Sequence, residues 1–274
     1  MKKELLIPEK NFNPNEKTIN FLHSYNMGDL IYTLPTMRKA WRTHGLKIKL
    51  LLGLDKTGHY YDGAVHPLGD KMFTKKSFDM ALPLLEKMEF ISSIEVWEGQ
   101  CKIDYNIDEI RDHTSALGMP HTEIRHWAMM LFPELACDIS EPWLPSNRLG
   151  GEDFIVVNLT QRYRNKNISY NFLQESPANV VFIGVLEEYN LFLKQCRKAQ
   201  YVKTKDYLEV AGVINASKLF IGNQSSCFAV AEGMGHPRFL EVCKEATNVV
   251  PATPNGIPFI DQRALEFLVE QAIK

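Results

Sequence analysis

Short apolar stretches rich in β-branched and aromatic residues alternate with longer stretches of helical period along most of this chain, and few architectures accept that rhythm. Strands separated by helices run parallel, and a parallel sheet must be covered by helices on its faces. In the first half the pattern predicts strands at Thr18–Ser24, Lys47–Leu52, Ser92–Trp97 and Lys102–Ile107, with helices at Leu30–Thr43, Ser77–Met88, Asp108–Leu117 and Thr122–Phe132. The second half restarts the pattern, with strands at Phe154–Leu159, Val180–Gly184, Ala199–Val202, Lys218–Gly222 and Arg238–Val242. Its helices are predicted at Leu186–Arg197, Tyr207–Ala216, Cys227–Gly235 and Gln262–Ile273. Asp206 is a suitable N-cap for the second of these.

Between the halves, residues 141–151 carry two prolines and two glycines with no periodicity, which reads as an interdomain linker. The expected organisation is α/β, with one domain over 1–145 and another over 146–274. A length of 274 residues and a hydrophobic content of 45% suffice for two such cores. A net charge of -2 gives no whole-molecule attraction for nucleic acid or anionic membranes. Five cysteines without a CxxC step or a zinc-like partner read as reduced thiols, and no apolar run approaches a bilayer span, so a cytoplasmic protein without a transmembrane segment is expected.

Two predicted strands end in small polar turns that lead straight into helices. Lys218–Gly222 runs into Asn223-Gln224-Ser225-Ser226, and Thr18–Ser24 runs into Tyr25-Asn26-Met27-Gly28-Asp29. A helix start offers unpaired N–H groups and the positive end of the dipole, which suits a phosphate or a carboxylate. Asp29 has two readings: a cap for its own helix, or a carboxylate facing a cleft at the C-terminal edge of the sheet.

Tyr25 to Pro35 resembles the opening of the ADP-heptose:lipopolysaccharide heptosyltransferase family, where a Gly-Asp pair precedes a helix carrying a Leu-Pro or Thr-Pro step. Asp206 to Gly235 is similar to that family's donor-binding segment. The resemblance implies a GT-B glycosyltransferase with two Rossmann-like domains facing a central cleft, the acceptor mainly on the first and the nucleotide sugar mainly on the second. It implies Asp29 as general base of an inverting transfer, and on that reading Asn26, Gly28 and, from the long irregular stretch between Gly53 and Lys76, Tyr60 and Tyr61 are expected on the acceptor side. For the donor and its diphosphate it points to Thr160, Arg162, Arg164, Gly184, Asn223, Gln224, Ser225, Ser226 and Glu232, with Arg162 foremost. No Asp-x-Asp motif occurs, in keeping with metal-independent chemistry and no cofactor beyond the nucleotide sugar.

Other readings of the same residues stay open. The Arg/Lys/Asn-rich run after Leu159 reads equally as a solvated loop, Glu232 as a surface acid, and Glu187-Glu188 as acids suited to a helix start. His23 reads as a buried, satisfied histidine. Gln224 and Ser226 stand where the family usually has an acid and a glycine, and a family histidine is absent at Cys227–Ala229, which leaves the donor sugar open. A hydroxyl acceptor of glycan type is expected. The alternatives are a glycosyltransferase acting on hydroxylated bases in DNA, with Lys71, Lys75 and Lys76 as contacts, and a non-catalytic nucleotide-sugar-binding protein.

Overall fold

The computed structural model describes residues 18–58, 69–119, 121–146 and 152–274. Tyr60 and Tyr61, expected on the acceptor side, lie outside the described residues. The chain divides into two compact units, Met1–Ile139 and Ser140–Lys274.

The first unit holds β1 (Thr18–His23), α1 (Met27–His44), β2 (Lys47–Leu52), α2 (Lys75–Leu85), β3 (Ile91–Val96), β4 (Tyr105–Asn106) and α3 (Ile124–Leu131). Its sheet has the order β3-β2-β1-β4, with every pairing parallel. Ile19, Phe21, Ile48, Leu50, Leu51 and Leu52 are buried, as strands covered on both faces require. The helix α1 carries Pro35 in its interior, which removes one backbone donor, and Gly45 ends it in the left-handed conformation that glycine adopts without strain.

The second unit holds β5 (Glu152–Asn158), β6 (Asn179–Phe182), α4 (Leu186–Phe192), β7 (Gln200–Tyr201), α5 (Tyr207–Ala216), β8 (Ser217–Asn223), α6 (Ser226–Gly233), β9 (Arg238–Glu241), β10 (Gly256–Phe259) and α7 (Gln262–Ile273). Its order is β10-β9-β8-β5-β6-β7, again all parallel. A core of Ile155, Val157, Val180, Phe182, Leu219, Ile221, Phe239 and Leu265 packs around this sheet. Asp206 and Asp261 cap α5 and α7 by accepting from the backbone N–H groups of Glu209 and Ala264.

Both sheets reverse direction once. In the first, β2 and β3 lie to one side of β1 and β4 to the other; in the second, β6 and β7 lie to one side of β5 and β8 to the other. Such a reversal opens a crevice at the C-terminal ends of the two central strands, where ligands of open α/β sheets bind.

Four expectations need correction. The strand expected over Lys102–Ile107 shrinks to Tyr105–Asn106, and the following helix is a 3-10 turn, Ile107–His113. Its geometry is set by Asp108, whose carboxylate and carbonyl are both taken by the loop after β1. Helix α4 stops at Phe192, after which the N–H groups of Lys194 and Gln195 tighten onto the Leu191 and Phe192 carbonyls, three residues back, and those of Arg197 and Lys198 turn to the Gln174 side chain. The strand β10 falls where the sequence pattern shows none. Part of the segment read as a linker is packed rather than free: the N–H groups of Trp143 and Leu144 both donate to the Gly233 carbonyl, and both side chains are buried.

Candidate functional site

In each unit a group of polar side chains follows the C-terminal ends of the two central strands. In the first, β1 delivers Ser24, Tyr25 and Asn26 to the sheet edge and α1 presents Asp29 in its first turn. Gly53, just after β2, lies close against Ser24: a Cβ there would stand 2.1 Å from the Ser24 hydroxyl and 2.9 Å from its Cβ, so a larger residue would displace that serine. The 3-10 turn after β4 brings in Asp108 and Arg111. The Asp108 carboxylate accepts from the Ser24 backbone N–H at 2.8 Å and pairs with Lys56 at 3.4 Å, while its carbonyl accepts from the Tyr25 hydroxyl. An Arg111 Nη2 donates to Asp29 Oδ2 at 2.5 Å. The Lys56 ammonium lies 4.6 Å from the Tyr25 ring centre and the Arg111 guanidinium 4.9 Å from it, and the guanidinium also faces Trp127 at 5.7 Å.

Burial works against the Lys56 ammonium, but the Tyr25 hydroxyl and the Asp108 charge outweigh it and raise its pKa. Burial raises the Tyr25 phenol and holds the His23 imidazole below its ordinary range, against the pull of Asp108 and Asp29. His23 is fully buried as expected. It is not fully satisfied, since Nδ1 meets no hydrogen-bond partner. Asn26 and Gly28 sit at the start of α1, and the Asn26 side chain makes no capping bond.

In the second unit, Asn223 at the end of β8 and Thr160 after β5 tie the two central strands together at their C-terminal ends. The Thr160 N–H donates to Asn223 Oδ1 at 2.9 Å, and Asn223 Nδ2 donates to the Thr160 carbonyl at 2.7 Å. Ser225 caps α6 by accepting from the Phe228 N–H, and Ser226 accepts from the Tyr207 hydroxyl at 2.7 Å. The amide of Gln224 donates to Asn248. Beside this edge Gly184 holds φ at 132°, and a Cβ on it would meet Asn158 Nδ2 at 2.7 Å and Glu188 Oε2 at 3.5 Å. Burial, opposed by the Gln161 and Val185 N–H groups and by Arg162, raises the Glu188 carboxyl to about 7. Burial and Glu188 together push the Cys227 thiol up to about 12, which leaves it inert.

Three polar atoms on this edge are buried without a hydrogen-bond partner: Asn158 Oδ1, Thr160 Oγ1 and Glu188 Oε1. Native structures leave few such atoms, and each costs about 1–3 kcal/mol of desolvation, so three at one sheet edge set this edge apart from the rest of the unit.

Two of the expected donor residues are engaged within the protein itself. Arg164 does not face the crevice freely: its Nε donates to the fully buried Glu241 at 2.9 Å, and Glu241 also accepts from the Asn165 N–H and the Tyr170 hydroxyl. Glu232 is fully buried and ion-paired with the equally buried Arg238, and it accepts from the Ala252 and Thr253 N–H groups, so its carboxylate is consumed in holding that loop. Arg162 stays at the crevice, its guanidinium 4.5 Å from the Tyr163 ring and its charge acting on Glu188. A structural Arg164 has a measurable consequence. Arg164→Lys lowers unfolding free energy in urea by about 1–2 kcal/mol, through loss of the guanidinium's fixed geometry, with no ligand present.

Lys56, Asp108, Arg111 and Asn158 were not singled out from sequence. Asn158 leaves a trace, as the one polar residue closing an apolar strand run. Arg111 leaves none, because its partner is 82 positions away.

No family model matches this sequence, and no curated protein is similar enough in sequence to match it. Solved structures match it in fold. The glycosyl transferase family 9 protein from Veillonella parvula DSM 2008 superposes with a TM-score of 0.57 at 12% identity, covering 95% of this chain and 92% of that one. The E. coli ADP-heptose lipopolysaccharide heptosyltransferase II gives a TM-score of 0.61 at 12% identity, covering 94% and 98%. The iron-containing dodecameric glycosyltransferase TibC from enterotoxigenic E. coli H10407 gives 0.53 at 12% identity, covering 88% of this chain and 61% of that one. In fold the chain is heptosyltransferase-like, an α/β protein of the GT-B class. Among the described residues no group of three or more His, Cys, Asp or Glu is placed to hold a metal ion, and no helix is long and apolar enough to cross a membrane.

Proposed function

We propose that this protein is a glycosyltransferase that moves a sugar from a nucleotide diphosphate sugar to a hydroxyl acceptor of glycan type, with inversion and without a metal. In this reading 146–274 binds the donor and 1–145 the acceptor. The observation that carries it is the set of unpartnered buried atoms on Asn158, Thr160 and Glu188 beside Gly184. All three accept hydrogen bonds, and a sugar nucleotide brings the hydroxyl and amino donors they lack.

The chemistry assigns each group one task. Asp29 takes the proton of the acceptor hydroxyl as its oxygen attacks the anomeric carbon. The bond from that carbon to the diphosphate breaks, and the electron pair leaves with the diphosphate. The N–H groups in the first turn of α6 and the Arg162 guanidinium meet the charge that develops there. Arg164 and Glu232 take no part, and Asn223 acts by holding the ends of β5 and β8 together.

The test is a thermal-stability panel of ADP-, GDP-, UDP- and dTDP-sugars. A binding nucleotide sugar at a hundredfold its Kd raises stability by about 2.7 kcal/mol, a shift of several degrees that saturates with concentration. The corresponding free sugar leaves the melting temperature unchanged. A flat response to all four nucleotide classes removes the reading.

A further inference from the structure

We infer that Arg111 is the positioning residue for Asp29, drawing its carboxylate off the helix and holding it for the acceptor; this rests on Asp29 being the base. A carboxylate in the first turn of a helix has a strong local alternative. It can fold back onto the free N–H groups of its own turn, where hydrogen bonds and the dipole both favour it. Asp29 does not take that alternative: Oδ2 accepts from Arg111, and among the described residues Oδ1 accepts from nothing.

The arginine is itself immobilised. Its guanidinium lies against the rings of Tyr25 and Trp127. The indole N–H of Trp127 is bonded to the Thr122 carbonyl at 2.9 Å, and the Tyr25 hydroxyl to the Asp108 carbonyl at 3.1 Å. A planar, delocalised cation stacks on aromatic faces in a way an ammonium does not, which suits arginine to this place. The second cation nearby, Lys56, is drawn toward Asp108 by the same Tyr25. The two acids are therefore sorted. Asp108 is 11% exposed and bonded to backbone N–H, whereas Asp29 is 21% exposed and keeps one oxygen open.

The experiment compares Arg111→Met, Arg111→Lys, Asp29→Asn and the Asp29→Asn/Arg111→Met pair. Activity is hydrolysis of the nucleotide sugar that stabilises the protein most, with water as acceptor. A misplaced base lowers kcat roughly 10²-fold in Arg111→Met. The KM for the nucleotide sugar stays within about threefold, since ground-state binding is untouched. The lysine variant falls between, added guanidinium restores part of the Met variant's rate, and the double variant loses no more than Asp29→Asn alone. A crystal structure of Arg111→Met shows the Asp29 carboxylate turned back onto the N–H groups of α1.

An unmoved Asp29 in that structure, or a loss confined to KM, overturns the assignment. Should the Met variant not fold, the Lys variant supplies the same crystal and double-variant comparison. A fully active Asp29→Asn points elsewhere: the base reading then fails, while the crystal structure still decides whether Arg111 orients Asp29.

Discussion

Glu188→Gln makes the protein more stable at pH 8 by about 3 kcal/mol and lowers its stabilisation by nucleotide sugar. The first effect follows from linkage. Burial raises the Glu188 carboxyl from 4.5 to about 7, so the folded state holds a proton there that the unfolded state has released. Stability from this group is complete below pH 4.5, falls as pH rises, and is lost through pH 7. A shift of that size corresponds to about 3 kcal/mol at pH 8. Glutamine carries no such charge, so the variant loses this slope and matches the wild type near pH 4. The measurement is urea unfolding of both proteins from pH 4 to pH 8. The difference between them is the quantity to read, because His23 contributes a slope of opposite sign: its depressed pKa destabilises the fold as pH drops below about 6.5. Identical curves for wild type and variant refute the buried, strained state of Glu188.

The second effect ties that cost to function. A carboxylate kept at 7% exposure with an unpartnered oxygen is a poor structural choice, and surplus stability is what its neutral counterpart returns. Its oxygen has a use when a ligand hydroxyl reaches it. In this reading Glu188→Gln lowers the nucleotide-sugar melting shift while raising the baseline melting temperature. A purely structural carboxylate would change the baseline alone.

How far these residues were legible in the sequence depended on whether their signal was local. The bounds of β2, α5 and α7 match the apolar pattern residue for residue, because periodicity and an Asp cap are written within one segment. The strand β10, Gly-Ile-Pro-Phe, has poor intrinsic strand character and exists through its pairing with β9. The turn at Ile107–His113 has helical composition but is bent by bonds to residues more than 80 positions away. Asp29, Gly184 and the turn at Asn223–Ser226 stand out because each sits at a strand-to-helix junction. Arg164 and Arg162 look alike in sequence, and only the buried Glu241 separates their roles. Glu232 shows the same limit, since its partner Arg238 becomes decisive once both are seen to be fully buried.

Asp29→Asn abolishes most of the transfer and leaves the fold and the donor shift in place. The asparagine is nearly isosteric, and its oxygen still accepts from Arg111, so the ion pair becomes a hydrogen bond to a cation rather than a void. What it cannot do is take a proton. General-base assistance is worth roughly 10²–10⁴ in rate, and the loss falls in kcat because the proton moves in the transition state alone. Donor binding, which this reading assigns to the second unit, keeps its full melting shift with the same nucleotide sugar. Single-turnover transfer to a hydroxyl acceptor measures the chemical step directly. A rate within a few-fold of wild type means that Asp29 is a helix-start acid held by Arg111 for stability, and that the proton leaves by another route. A loss of 10² or more with an unchanged donor shift separates the chemistry of the first crevice from the binding at the second, and a cap has no means of producing that separation.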